Sequence, residues 1–160
     1  MLAAALSPAE AAAPRSLGIF GEWGAFRDGD RGKRCYAIAR PRGGTGGGDS
    51  GAFASIGHWP RLGIRGQVHF RLGREKRRGS AVLLRIDDDT FQLAAGGADA
   101  WAPDARADAA IVAAMRGGVE MRIETRSARG GRIVDRYLLR GAATAIDAAA
   151  LACARGTGRD

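Results

Sequence analysis

Along most of the chain the hydrophobic positions repeat with a step of two, the signature of half-buried strands. Leu17–Arg27 carries Ile19, Phe20, Trp23 and Phe26, a strand composition interrupted by Gly21 and Gly24. The turn cluster Asp28-Gly-Asp-Arg-Gly32 separates it from Lys33–Arg40, which alternates cleanly up to Pro41, so the two segments predict a hairpin. Ala52–Trp59 reads as a further strand stopped by Pro60. Ile64–Leu72 and Ser80–Asp87 alternate most strongly: Val68, Phe70 and Leu72 on one face of the first, Val82, Leu84 and Ile86 on one face of the second. They are expected to pair around a tip at residues 71–78. Asp87-Asp-Asp89 then turns the chain into Thr90–Ala95.

Two segments break this pattern with a 3.6-residue period. Pro103-Asp104 opens a helix whose inner face carries Ala107, Ile111, Val112 and Met115, and Gly117-Gly118 ends it. A second helix is expected to start at Thr144, with Asp147 completing a capping box, and to place Ile146, Ala149, Ala150 and Cys153 on one face. Between them, Val119–Arg126 and Arg132–Arg140 predict another hairpin around Ala128-Arg-Gly-Gly131. Roughly seven or eight strands, arriving mostly as hairpins with turn signals about every 8–12 residues, predict a mainly β, antiparallel β-sandwich with two short helices. A small closed β-barrel is the alternative.

Length sets the domain organisation. The chain has 160 residues, enough for one well-filled core. Residues 1–13 are small and apolar and end in Ala11-Ala12-Ala13, the small-x-small pattern of a signal-peptidase site. They lack a basic leading region, and Ser7-Pro8 and Glu10 interrupt the apolar run. A clipped signal peptide or an Ala-rich tail both fit, and residues 14–160 form the expected single domain.

The net charge of +8 invites a nucleic-acid reading, but the 25 basic residues are 23 Arg and 2 Lys in a chain saturated with Ala and Gly. GC-rich codons produce that joint bias, so nucleic acid is disfavoured as a partner. One segment is dense: Arg71, Arg74, Lys76, Arg77 and Arg78 at the expected hairpin tip. It is either a solvated tip or a contact for lipopolysaccharide, anionic lipid headgroups or another polyanion.

The two cysteines add a compartment. A bridge between Cys35, in an early strand, and Cys153, on the last helix, would close most of the domain. In the chain-entropy model it would contribute roughly 4–5 kcal/mol. Such bonds persist in an oxidising compartment, which points to a periplasmic or secreted protein. Two free buried cysteines are the competing reading.

Candidate chemistry is sparse. Two cysteines cannot build a tetrahedral structural zinc site without help, which only His58 and His69 could give, and the aspartate triplet lacks the spaced ligands and Gly of a calcium loop. Residues 42–51 are Gly-rich, but no Gly-Lys-Ser/Thr follows, so they read as a flexible loop and not a phosphate cradle. His69 is expected to face solvent. His58, in His58-Trp59-Pro60 at a strand end, reads as an aromatic packing corner or, as the alternative, a base in a cleft. Trp23, Trp59 and Trp101 are expected to pack in the core or at its rim. Neither a Gly-x-Ser-x-Gly elbow nor a His-Glu-x-x-His run occurs, so no catalytic residue, metal ligand or cofactor is assigned.

Several features recur in a recognisable order: Gly21-Glu22-Trp23, a hairpin partner with Cys35, and Met115-Arg-Gly-Gly118 closing a mid-chain helix. Asp135-Arg-Tyr137-Leu-Leu-Arg-Gly141-Ala-Ala-Thr-Ala-Ile-Asp147 and a closing Ala-Ala-Ala-Leu-Ala-Cys153 follow. This order, over residues 18–154, resembles the invasion associated locus B family of alphaproteobacterial exported proteins. The resemblance implies an immunoglobulin-like sandwich in the periplasm or at the outer surface, with an envelope or host-surface component as partner. It brings no catalytic residues. The chain also lacks the additional central cysteines of some members.

Overall fold

The computed structural model describes residues 12–29, 34–44 and 50–155. The expected leader therefore lies outside the described residues except for Ala12 and Ala13, as do most of the first turn cluster and residues 45–49 of the Gly-rich loop. Among the described residues, eleven antiparallel strands form an open sheet in the order β1-β2-β3-β5-β6-β9-β8-β7-β10-β11-β4. With β1 at one edge and β4 at the other, the sheet does not close, which corrects the barrel alternative.

The predicted strand at Leu17–Arg27 is two strands, β1 (Arg15–Phe20) and β2 (Trp23–Asp28), paired with each other. Gly21, at φ +56°, supplies the positive φ that a two-residue hairpin turn needs at its first central position. The expected hairpin of β2 with β3 (Arg34–Ala39) is present, with Phe26 opposite Tyr36 and Arg27 opposite Cys35. The two-residue strand β4 (Gly43–Gly44) follows, then β5 (Phe53–Trp59), a 3-10 turn at Pro60–Leu62, and β6 (Ile64–Arg71).

The largest correction concerns β6 and β7 (Val82–Ile86), which do not pair. β6 lies between β5 and β9 (Asp99–Trp101), and β7 between β8 (Asp89–Gly96) and β10 (Glu120–Arg126). Alternation decides which face a residue takes and leaves the partner strand open. The intervening segment is consequently a crossover and not a hairpin tip. It is anchored by buried Leu72 and by Lys76, which bridges to Ser127. β8 joins the two arms of the sheet: Asp89–Leu93 pairs with β7, and Ala94–Gly96 pairs with β9. β11 (Arg132–Leu138) completes the predicted hairpin with β10 and borders β4.

Helix α1 (Ala105–Gly117) starts where expected, the Asp104 carboxylate accepting from Ala107 N at 2.8 Å. Its predicted inner face buries Ile111 and Met115. Helix α2 (Ala142–Ala154) is capped three residues earlier than predicted, at Gly141 in the left-handed conformation and without a side-chain cap. Thr144 is exposed inside the first turn, and Asp147 pairs with Arg116 of α1 at 2.7 Å instead of closing a capping box. The buried residues of α2 are mostly alanines, which lets the helix lie close against β3, β2, β1 and β5.

Both arms contribute to one hydrophobic core: Trp23, Ala37, Ile56 and Phe70 from the first, Leu84, Ile123 and Tyr137 from the second, Ile111 and Ile146 from the helices. Cys35 on β3 and Cys153 on α2 are disulfide-bonded across this core, closing 118 residues of sequence.

Candidate functional site

The motifs that carry the family resemblance meet in space. The indole of Trp23 donates to the carbonyl of Leu138 at 3.0 Å, and Glu22 N donates to the carbonyl of Arg140 at 3.0 Å. The Glu22 carboxylate accepts two hydrogen bonds of 2.7 Å from Arg42 and one of 3.1 Å from Arg140. These guanidinium contacts hold its pKa down at about 2. Gly141, at φ +89°, passes so close to the Phe20 carbonyl that a Cβ there would collide with backbone. The cluster ties the β1–β2 turn to the β11–α2 connection. Its groups are engaged with one another, and its role is architectural.

His58 has no chemistry of this kind either. Its side chain points inward from β5, and Nδ1 accepts from Gly66 N at 3.2 Å. Burial, and then the charges of Arg65 and Arg116, push its pKa below the ordinary histidine value. Nε2 is buried without a hydrogen-bond partner.

The notable surface lies on the other side of the same strands. Residues that alternate with the core on β2, β3, β5, β6 and β9 face outward, and many are aromatic. Of three Trp, two Tyr and five Phe in the chain, half lie on this face: Phe26, Tyr36, Phe53, Trp59 and Trp101. Phe26 stacks on Tyr36 with centroids 5.8 Å apart, and the Arg34 guanidinium lies 4.1 Å above the Tyr36 ring. The Trp59 ring covers Gly57, and the Phe26 ring and Ile19 cover Gly24, so these side chains lie flat on the sheet where glycine leaves room. Trp101, 38% exposed, stacks on His69 at 5.3 Å, and Phe53 meets His69 edge-on.

His69 is thus on the outer face as expected, but it is held there and not free in solvent. Its Nε2 lies 2.9 Å from Asp99 Oδ1, and Arg71 donates to Asp99 Oδ2 at 2.6 Å. Beside the aromatics a groove of about 530 Å³ is lined by Ile19, Phe26, Ile38 and Phe53, with Glu22 and Arg40 at its rim. Among the described residues, no three His, Cys, Asp or Glu side chains are grouped to hold a metal ion.

The five predicted basic residues do not form one patch. Arg71 belongs to the aromatic face with Asp99. Lys76 is buried, its Nζ donating to the carbonyl of Arg77 at 2.9 Å. Arg74 lines a concavity with Glu75 and Arg129, whereas Arg77 and Arg78 line another with Arg126 and Arg132. The aromatic face was missed because a single strand with large apolar residues on both faces reads as a fully buried one. The signal was there in Phe26, Tyr36, Phe53 and Trp59 at the positions alternating with the core.

An open antiparallel sheet with two helices, the second stapled to the third strand, defines the structural class. Its fold is similar to that of invasion associated protein B from Bartonella henselae. That crystal structure matches with a TM-score of 0.56 and 17% identity, over 88% of this chain and 99% of that one. The likeness carries the fold and agrees with the resemblance noted in the sequence. Neither a family model nor a curated protein matches the chain.

Proposed function

We propose that this chain is an exported, non-enzymatic β-sandwich of the bacterial envelope or cell surface, which binds an envelope or host-surface component through its outer aromatic face. The observation that carries the reading is the placement of half the aromatic residues outside the core, on one sheet face. Trp101 is exposed and the other four rings are half-buried, and apolar surface gathered on one open face in this way marks an interaction site. Two arms sharing one core favour the sandwich. The Cys35–Cys153 bond favours an oxidising compartment, periplasmic or extracellular. No helix among the described residues is long and apolar enough to cross a membrane.

The non-enzymatic reading is supported by the state of the two imidazoles: His58 accepts from a backbone amide inside the core and His69 is engaged by Asp99. Among the described residues, neither is hydrogen-bonded to a hydroxyl or thiol. The name of the Bartonella henselae protein associates that protein with invasion, and nothing beyond the fold is carried from it.

The test is binding of labelled protein to bacterial envelope fragments and to cultured host cells, comparing wild type with Trp59→Ala/Trp101→Ala. Truncating two central aromatic anchors is expected to weaken binding roughly tenfold or more. Equal binding by the variant would remove the aromatic face from the proposal. Recovery of the full-length protein only in the cytoplasm, with two alkylatable thiols, would remove export.

A further inference from the structure

The opposite arm of the sheet carries a second surface with different chemistry. On β10 and β11, Arg126 stands directly opposite Arg132, and Arg122 directly opposite Arg136. The next strand continues the second rung, with Arg85 opposite Arg122. Like charges opposite one another across an antiparallel pair destabilise it. A compositional excess of arginine scatters positive charge, but it does not favour rungs that place like charges together.

The rung Arg126–Arg132 lies at the edge of a concavity of about 590 Å³, whose lining includes Arg77, Arg78, Gly79, Ser80 and Glu124. Its frame is rigid. Arg77 N donates to the Arg126 carbonyl at 2.8 Å, Ser80 N donates to the Arg77 carbonyl, and Thr125 Oγ1 donates to the Ala81 carbonyl at 2.8 Å. The one acid lining it, Glu124, is already occupied by Arg85 at 3.3 Å and Arg122 at 2.8 Å. Arg77, Arg78, Arg126 and Arg132 are all exposed, and none has an acidic partner among the described residues.

We infer that these four arginines form a binding site for phosphate groups of an anionic membrane surface. Guanidinium groups match phosphate oxygens in a two-pronged geometry, and four in one concavity call for more charge than a single carboxylate brings. The site is an open depression on the outside of the sheet, and the cations continue along that face to Arg136. An extended layer of phosphate headgroups meets all of them, whereas a small ion meets only the concavity. This inference rests on none of the residues of the aromatic face.

The experiment uses the full-length oxidised protein and vesicles of phosphatidylcholine containing phosphatidic acid. Parallel arms use phosphatidylcholine alone, phosphatidylcholine with palmitic acid at matched surface charge, duplex DNA, and free inorganic phosphate as competitor. Binding to the phosphatidic acid vesicles is expected to fall roughly tenfold or more in Arg77→Gln/Arg78→Gln/Arg126→Gln/Arg132→Gln. The control Arg15→Gln/Arg61→Gln/Arg65→Gln/Arg106→Gln removes the same charge elsewhere and should stay within about twofold of wild type. A variant that failed to fold would mimic the loss. Arg77→Gln/Arg78→Gln, which alters no strand residue, should therefore show a partial loss with an unchanged near-UV spectrum. An equal loss in the control, equal binding to palmitate vesicles, or tighter binding of duplex DNA or free phosphate would each overturn the assignment.

Discussion

Breaking the Cys35–Cys153 bond should destabilise the fold chiefly by freeing the unfolded chain. The bond closes 118 residues, for which the chain-entropy relation gives about 5 kcal/mol at 25 °C. Cys35 is fully buried and Cys153 nearly so, so Cys35→Ala/Cys153→Ala adds a small packing loss. Simple reduction removes the link and retains both sulfur atoms. For a domain of this size, about 5 kcal/mol corresponds to a fall in Tm of roughly 10–20 °C. Guanidinium titrations of oxidised and reduced protein supply the mechanism. If the effect lies in the unfolded state, the reduced chain should unfold to a more expanded ensemble with a steeper denaturant dependence, while the folded-state near-UV spectrum outside the disulfide band stays the same. A fall in Tm below about 3 °C would refute the loop-closure argument. So would a reduced protein whose folded state had already lost α2.

Three further outcomes follow from single residues. The depressed pKa of His58 means that the unfolded state binds its proton first. Stability is therefore complete above the ordinary histidine value of 6.5 and declines as pH falls from there toward the folded value; His58→Gln should flatten this decline in denaturation midpoints measured from pH 7.5 to 5.0. The Tyr137 hydroxyl is buried without a hydrogen-bond partner, and burial, then Asp135, raises its pKa. Tyr137→Phe should be neutral or stabilising by up to about 1–2 kcal/mol in equilibrium unfolding, and a comparable loss would mean the hydroxyl is satisfied. Gly141→Ala forces a Cβ into the Phe20 carbonyl at positive φ and should cost more than about 3 kcal/mol, read as a large drop in Tm or in folded yield.

Local chemistry was legible in the sequence and long-range pairing was not. Asp104 and Gly117 bounded α1 correctly, because capping and helix-breaking act within a turn. The β10–β11 hairpin was likewise evident. By contrast, β6 and β7 both alternate strongly, and nothing in their sequences states that each pairs with other strands. The short β9 was invisible because three residues carry no period. Thr144 and Asp147 imitate a capping box, yet the closure of Gly141 against Phe20 had already started the helix. Of the site, the Cys35–Cys153 staple could be anticipated from two cysteines and a helical face. The basic cluster could not be placed, because the crossover sends Arg71 and Arg77 to different arms of the sheet.

The residues that carry the family resemblance and those available for binding are largely different sets. Glu22, Trp23, Gly141, Tyr137 and Cys153 are buried, paired or sterically confined, and they hold the first arm, the second arm and α2 together. A shared order of such residues therefore selects for the same architecture and is silent about ligands. What the architecture leaves free is a pair of sheet surfaces, one presenting flat aromatic rings with a His69–Asp99–Arg71 cluster, the other presenting arginine rungs. Outer-face positions alternate with the core, so they can change without disturbing it. Specificity in this chain is expected to follow Trp101 and Arg126, and fold integrity to follow Trp23 and Gly141.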